Sequence, residues 1–205
     1  MKNTYIILFI AFVVIVGGYF VYKNQDFTNE IKEMETENER PTGGFFSDIL
    51  NFGFDYPSGP DGYVLENSET NDTNPNFVRS FLLMRSDDKN NIDKIPVGGE
   101  WPPMITILVL KNPENKTPAI WAEANKNYSN INLKTGDVVD FTIDGNSAIR
   151  YTADGLYMSD NVVVASGENI FVISGAYMDQ ESAIYKDFST ILSTVTFKGE
   201  IQAEQ

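Results

Sequence analysis

The sequence predicts an α+β domain built on an antiparallel sheet of six or seven strands flanked by helices, with one transmembrane helix ahead of it. Three observations carry this. Beyond Phe45 the apolar residues mostly follow the strand period of two, with turn residues at close spacing. Two segments, 117–128 and 179–193, switch to helical spacing. Near the N-terminus, 18 successive residues carry no charge.

After a four-residue stub, 1–4, residues 5–22 read YIILFIAFVVIVGGYFVY. As a helix this segment rises about 27 Å, close to the hydrocarbon thickness of a bilayer. Tyr5, Tyr19 and Tyr22 lie near its ends, and Lys2 and Lys23 bracket it. The n-region has one lysine and no small-x-small cleavage pattern follows, so the segment reads as an uncleaved signal-anchor rather than a cleaved signal peptide. A positive N-terminal flank, set against Asp26, Glu30, Glu33 and Glu35 beyond Lys23, predicts a single-pass cell-membrane protein with its N-terminus inside and its domain extracytoplasmic. Residues 23–44 form an acidic linker, which Pro41, Gly43 and Gly44 close.

The globular domain is expected over 45–199. LNFGFDYP at 50–57 gives a short strand and FVRSFLLMRS at 77–86 a longer one, with polar loops at 66–76 and 87–93. MITILVLK at 104–111 is a further strand. Unbroken apolar runs such as ITILVL and NVVVA predict a sheet covered on both faces at its centre. Thr117 and Pro118 supply an N-cap and a first-turn proline, and Ile120, Trp121, Ala124 and Tyr128 form the docking side of the helix they start. Residues 137–177 predict a four-stranded meander. In it Val139, Phe141 and Ile143 share a face, Asp144-Gly145-Asn146 makes a tight hairpin, and Asp154-Gly155 and Gly167-Glu168-Asn169 turn the chain again. The second helix buries Ile184, Phe188, Ile191 and Leu192; TVTFK at 194–198 returns to strand, and 200–205 is a polar tail.

Composition limits the chemistry. The chain is 42% hydrophobic and 13% aromatic, so it folds around a core, and its net charge is -14. A field of that sign repels phosphate, so no nucleic-acid partner is expected. Cysteine and histidine are absent, which removes thiolate nucleophiles, disulfides, serine-histidine triads and histidine or cysteine zinc sites. The expected partners are the membrane, through residues 5–22, and a second envelope protein or a small ligand.

The segment Phe52-Gly53-Phe54-Asp55-Tyr56-Pro57-Ser58-Gly59 resembles the F-x-F-x-Y-P-x-G opening of PsbP-like domains, named after an extrinsic photosystem II subunit. Phe188, Ile191, Leu192, Ser193, Thr194 and Phe197 resemble their closing helix and strand, and Trp121 sits in a helix where such domains often carry an aromatic. The resemblance covers roughly 52–198 and implies a PsbP-like α/β/α sandwich without universal catalytic residues. Many relatives place tryptophan soon after the Y-P-x-G segment, where this chain has Tyr63 after Gly62.

Four candidate sites follow from residue chemistry. Asp87, Asp88, Asn90 and Asp93, with Asn91, crowd one expected loop with oxygen ligands of the kind that hold calcium. The loop lacks the glycine and glutamate spacing of an EF-hand, and a solvated connection is the competing reading. Asp140, Asp144, Asp154 and Asp160 are the local concentration of acids from which a carboxylate-dependent hydrolase would draw its pair, against ordinary turn chemistry. Trp101-Pro102-Pro103 offers either an exposed aromatic corner for a partner or a strand start with Trp101 over a core edge. Arg150 is placed to pair with Asp140 across the hairpin. The leading expectation is a non-enzymatic ligand- or protein-binding envelope module; a calcium-binding domain and a carboxylate hydrolase are the alternatives. No cofactor other than that calcium is expected.

Overall fold

Alternating apolar residues fold into strands through most of the chain, and the computed structural model describes residues 42–68 and 74–197. In chain order the strands are Thr42–Ser47 (β1), Phe52–Pro57 (β2), Tyr63–Ser68 (β3), Phe77–Arg85 (β4), Ile105–Lys111 (β5), Val139–Ile143 (β6), Asn146–Asp154 (β7), Met158–Ser166 (β8), Asn169–Tyr177 (β9) and Thr196–Phe197 (β10). The helices are Ser86–Asn91 (α1), Pro118–Ala124 (α2), Lys126–Ser129 (α3) and Ala183–Ser193 (α4), with 3-10 turns at Ile92–Lys94 and Ile131–Leu133. Seven strands form one antiparallel sheet in the order β3-β4-β5-β9-β8-β7-β6, and β1-β2-β10 form a second, three-stranded sheet. The expected meander is β6 to β9. Its first turn places Asp144 at φ 46° and Gly145 at φ 77°, the positive values that a two-residue hairpin with the right twist demands.

The large sheet is covered on both faces. On the first face, α4 packs Ile184, Phe188, Ile191 and Leu192 against strands and the small sheet adds a phenylalanine cluster. Phe52 stacks on Phe171 with ring centroids 4.7 Å apart, and Phe197 meets Phe171 edge-on at 4.9 Å. The two segments that carry the PsbP resemblance therefore converge, because β2 and β10 pair Phe52 with Phe197. Gly175 on β9 makes this possible: a Cβ there would stand 2.6 Å from the Phe188 ring, so only glycine lets α4 come so close. On the second face, Trp121 and Ala122 of α2 pack with Ile131, Ile149, Tyr151, Val163 and Val172. Two hydrogen bonds fasten this layer, Tyr151 donating to the Ser129 carbonyl and Ser129 Oγ donating to the Ala122 carbonyl at 2.8 Å.

Several expectations are corrected. The sheet of seven is joined by a second sheet, and β1 begins at Thr42, inside the expected linker, because Gly43 and Gly44 pair with Tyr56 and Asp55 instead of breaking the chain. The loop expected from Glu66 starts later, since β3 runs to Ser68. The helix expected over 117–128 divides at Asn125 into α2 and α3. Its docking side is rotated to Pro118, Trp121 and Ala122, leaving Ile120 and Ala124 exposed. The helix expected from Asp179 starts at Ala183, capped by Ser182, whose side chain accepts from Tyr185 N–H. The segment expected as a loop at 87–93 is α1 followed by a 3-10 turn; Asp87 and Asp88 occupy the first turn, where the helix dipole favours acids. The transmembrane helix expected at 5–22, nearly all of the expected linker, the centre of the 66–76 loop and the expected tail lie outside the described residues. Among the described residues no helix is long and apolar enough to cross a membrane.

Candidate functional site

The register of the large sheet shows where its second face stops being core. One cross-strand row on that face is Leu108, Val172, Val163 and Ile149, all large and apolar. The next row is Thr106, Ser174, Asn161 and Tyr151. Three adjacent strands, β5, β9 and β8, thus change together from bulky apolar to small polar side chains at the same level, while Tyr151 on β7 remains part of the core. Asn161 is fully buried and fully employed: its amide donates to Ser159 Oγ at 3.0 Å, and its carbonyl oxygen accepts from Ser174 Oγ at 2.7 Å.

Above these small residues lies an open cleft of about 780 Å³. Its floor is Thr106, Ser159, Ser174 and Ala176; one wall is the segment 98–104, another the α3 region through Tyr128 and Leu133, and the third the β7–β8 turn with Leu156 and Tyr157. The first wall is shaped by its sequence. Gly98 takes φ 79° to turn the chain, and Pro102-Pro103 then keep it extended until β5 begins. This holds Trp101 on the rim with 54% of its surface exposed, not over a core edge. Tyr157 closes the opposite side by donating its hydroxyl to the Trp101 carbonyl at 2.9 Å.

The electrostatics of the cleft are one-sided. Among the described residues Glu100 is the one charged residue that lines it, and no lysine or arginine does. The Tyr157 hydroxyl is pushed up to about 12, first by the neighbouring Glu100 carboxylate, an acceptor that favours the protonated phenol, then by burial and by the negative charges of Glu100 and Asp88. The neighbouring Tyr151 hydroxyl also rises to about 12, but chiefly because it is buried.

A smaller cavity of about 340 Å³ opens on the first face between β6 and α4 and reaches Arg150. Arg150 pairs not with Asp140 but with Asp160 on the other neighbouring strand, at 2.9 Å, and Thr152 donates to the same carboxylate at 3.0 Å. In the register Asp140 stands opposite Ile149, one position away from Arg150 and therefore on the other face.

The four acids considered for hydrolysis are dispersed. Asp144 accepts from Phe197 N–H at 2.7 Å, Asp160 holds Arg150, and Asp140 and Asp154 are exposed. Neither cavity is lined by two carboxylates. Asp87, Asp88 and Asn90 lie on α1, where successive side chains diverge, and Asp93 lies in the following 3-10 turn. Asp88 has its carboxyl pushed up by burial, with Arg85 opposing and Asp87 adding to the shift. Among the described residues no group of three or more acidic, histidine or cysteine side chains is placed to hold a metal ion.

Of the candidate site residues singled out in the sequence, Trp101, Pro102 and Pro103 belong to the large cleft. Glu100, Tyr157, Ser159, Asn161 and Ser174 escaped notice. The available signal was in the strand period: Ser159 and Asn161 alternate in phase with Val163, so they share its face while abandoning its character.

The architecture is that of an α+β sandwich whose antiparallel sheet is sealed on one face and partly open on the other. Among solved structures its fold is PsbP-like. The solution structure of cyanobacterial PsbP from Synechocystis sp. PCC 6803 matches with a TM-score of 0.51 at 11% identity, over 77% of this chain and 92% of that one. A protein from Bacteroides thetaiotaomicron VPI-5482 matches at TM-score 0.38 and 16% identity, over 77% of this chain and 48% of its own. A protein of unknown function from Pseudomonas aeruginosa matches at TM-score 0.36 and 9% identity, over 77% of this chain and 98% of its own. No family model and no curated protein matches the sequence.

Proposed function

We propose that the domain is a non-catalytic binding module, held outside the cytoplasm by residues 5–22, that receives its ligand in the cleft between Trp101 and Tyr157. The observation that carries this reading is the polar row Thr106-Ser174-Asn161 in the middle of the sheet. Small hydroxyl and amide side chains there forgo the packing that larger apolar residues would give. A concave site with apolar walls and a few convergent polar groups is the usual form of a small-molecule pocket. The PsbP-like fold is compatible with a module that binds without catalysing, and the dispersal of the four acids agrees with it.

The test is amide NMR of the full chain in an uncharged detergent, screened against small neutral, cationic and anionic compounds. Perturbations should cluster at Thr106, Ser159 and Ser174 and vanish in Trp101→Ala, whose exposed side chain can be removed without unfolding the domain. Shifts scattered over the surface, or unaffected by Trp101→Ala, would overturn the reading. Protease added to intact cells tests the placement separately: it should digest the domain, and protection of residues 42–197 until lysis would refute an extracytoplasmic position.

A further inference from the structure

We propose that the cleft selects a cation, an alkylammonium group seated against Trp101 and Tyr157 beside the Glu100 carboxylate. The inference rests on the reading of the cleft as a binding site and goes further by assigning the charge of what enters it. Three aromatic residues, Trp101, Tyr128 and Tyr157, line the cleft with a single carboxylate and no base. The bases nearest in sequence to its lining are Lys126, paired with Glu123 at 3.4 Å, and Lys134; neither lines the cleft. An anion entering here would lose its hydration and meet no positive partner, which is costly. A cation keeps its compensation, because aromatic faces attract it and Glu100 neutralises it.

The mouth already registers this field. The Tyr157 phenol resists ionising first because the Glu100 carboxylate stands beside it, with burial and the charge of Asp88 adding, and a carboxylate that disfavours a second negative charge favours a positive one for the same reason. The chain's net charge of -14 adds a long-range field that concentrates cations and repels anions. The floor contributes hydroxyls rather than charges, so Ser159 and Ser174 orient a ligand without countering the carboxylate.

The decisive experiment compares choline with 3,3-dimethylbutan-1-ol, which has the same shape without the charge, and with acetate. All are titrated into the full chain in an uncharged detergent and followed at the Trp101, Ser159 and Ser174 amides. Choline should bind about fivefold or more tightly than its neutral isostere, the scale of a partly desolvated cation over an aromatic ring. Glu100→Gln should remove most of that preference, and added salt should weaken choline alone. A parallel titration with acetyl-lysine amide distinguishes the source: tighter binding than choline indicates a lysine carried on a peptide, weaker binding a free quaternary amine. Equal or tighter binding of the alcohol, or acetate binding at the same amides, would overturn the cation while leaving the cleft a binding site. Silence of the cleft amides toward every probe would overturn both.

Discussion

The two faces of the seven-stranded sheet are made by the same strands and have opposite characters. On the first face, Ile107, Ile173 and Val162 continue into Phe171 and Val164, and α4 and the small sheet bury all of them. On the second, an equally apolar half beneath α2 gives way to Thr106, Ser174 and Asn161 under an open cleft. Because side chains alternate across a strand, one residue can be spent on stability while its neighbour is spent on a site, with no compromise in the backbone. The difference between the faces is thus a division of labour, and substitutions should reveal it in order of size.

The largest effect belongs to the first face. Phe52→Ala empties a position in contact with Phe54, Phe81, Phe171 and Phe197 and should cost about 3–5 kcal/mol in urea unfolding. Ligand affinity of the still-folded fraction should be unchanged, and a loss of affinity would break the division between faces. Gly175→Ala comes next. Its methyl would press on Phe188, so α4 must move outward at a cost of about 1–3 kcal/mol. A neutral result would mean that α4 is not held as closely as the Gly175–Phe188 contact requires.

How much of this was legible before the structure follows the same division. The first face was written in the side chains themselves: Phe52 and Phe197 mark the ends of the domain, and Ile184, Phe188, Ile191 and Leu192 fall on one helical side, so period and composition were enough. The hairpin at Asp144-Gly145 was equally plain, since positive φ has few suitable residues. The cleft was not legible, because it is a property of register. Asn161 breaks the apolar phase of Val163 within its own strand, but Thr106 and Ser174 join it as a polar row only when β5, β9 and β8 are paired. The pairing of Arg150 was missed for the same reason: sequence placed it beside a nearest hairpin neighbour, whereas the pleat turns it toward Asp160. The helical nature of 86–91 was hidden by a composition that suits loops and helix starts alike.

A smaller effect is expected on the polar row. Ser174→Ala removes the hydroxyl that donates to Asn161 Oδ1 and leaves a buried acceptor short of a partner, at about 1–2 kcal/mol. The sharper readout is the comparison with Phe52→Ala, which should cost two to three times more at its fully buried site. If Ser174→Ala were as damaging, the second face would be structural throughout, and the cleft an accident of loop placement.

The last prediction separates two parts of the second face, the layer beneath α2 and the cleft mouth, by proton affinity. Tyr151 and Tyr157 both titrate near 12 instead of 10, one because burial opposes the phenolate and the other because Glu100 does. Glu100→Gln should therefore lower the Tyr157 value toward 10 and leave Tyr151 where it is, as followed by phenolate absorbance with Tyr157→Phe to assign the signals. Both native values are raised above the unfolded one, so the native state holds these protons more tightly. The associated stabilisation is complete below pH 10 and disappears as the pH rises from 10 through about 12. Because both tyrosines rise to the same value, each carries a comparable share of that decline: Tyr151→Phe should flatten one part of it and Glu100→Gln the other. A decline that followed Tyr151 alone would leave Tyr157 outside the influence of the Glu100 carboxylate and confine the effect to the burial of Tyr151.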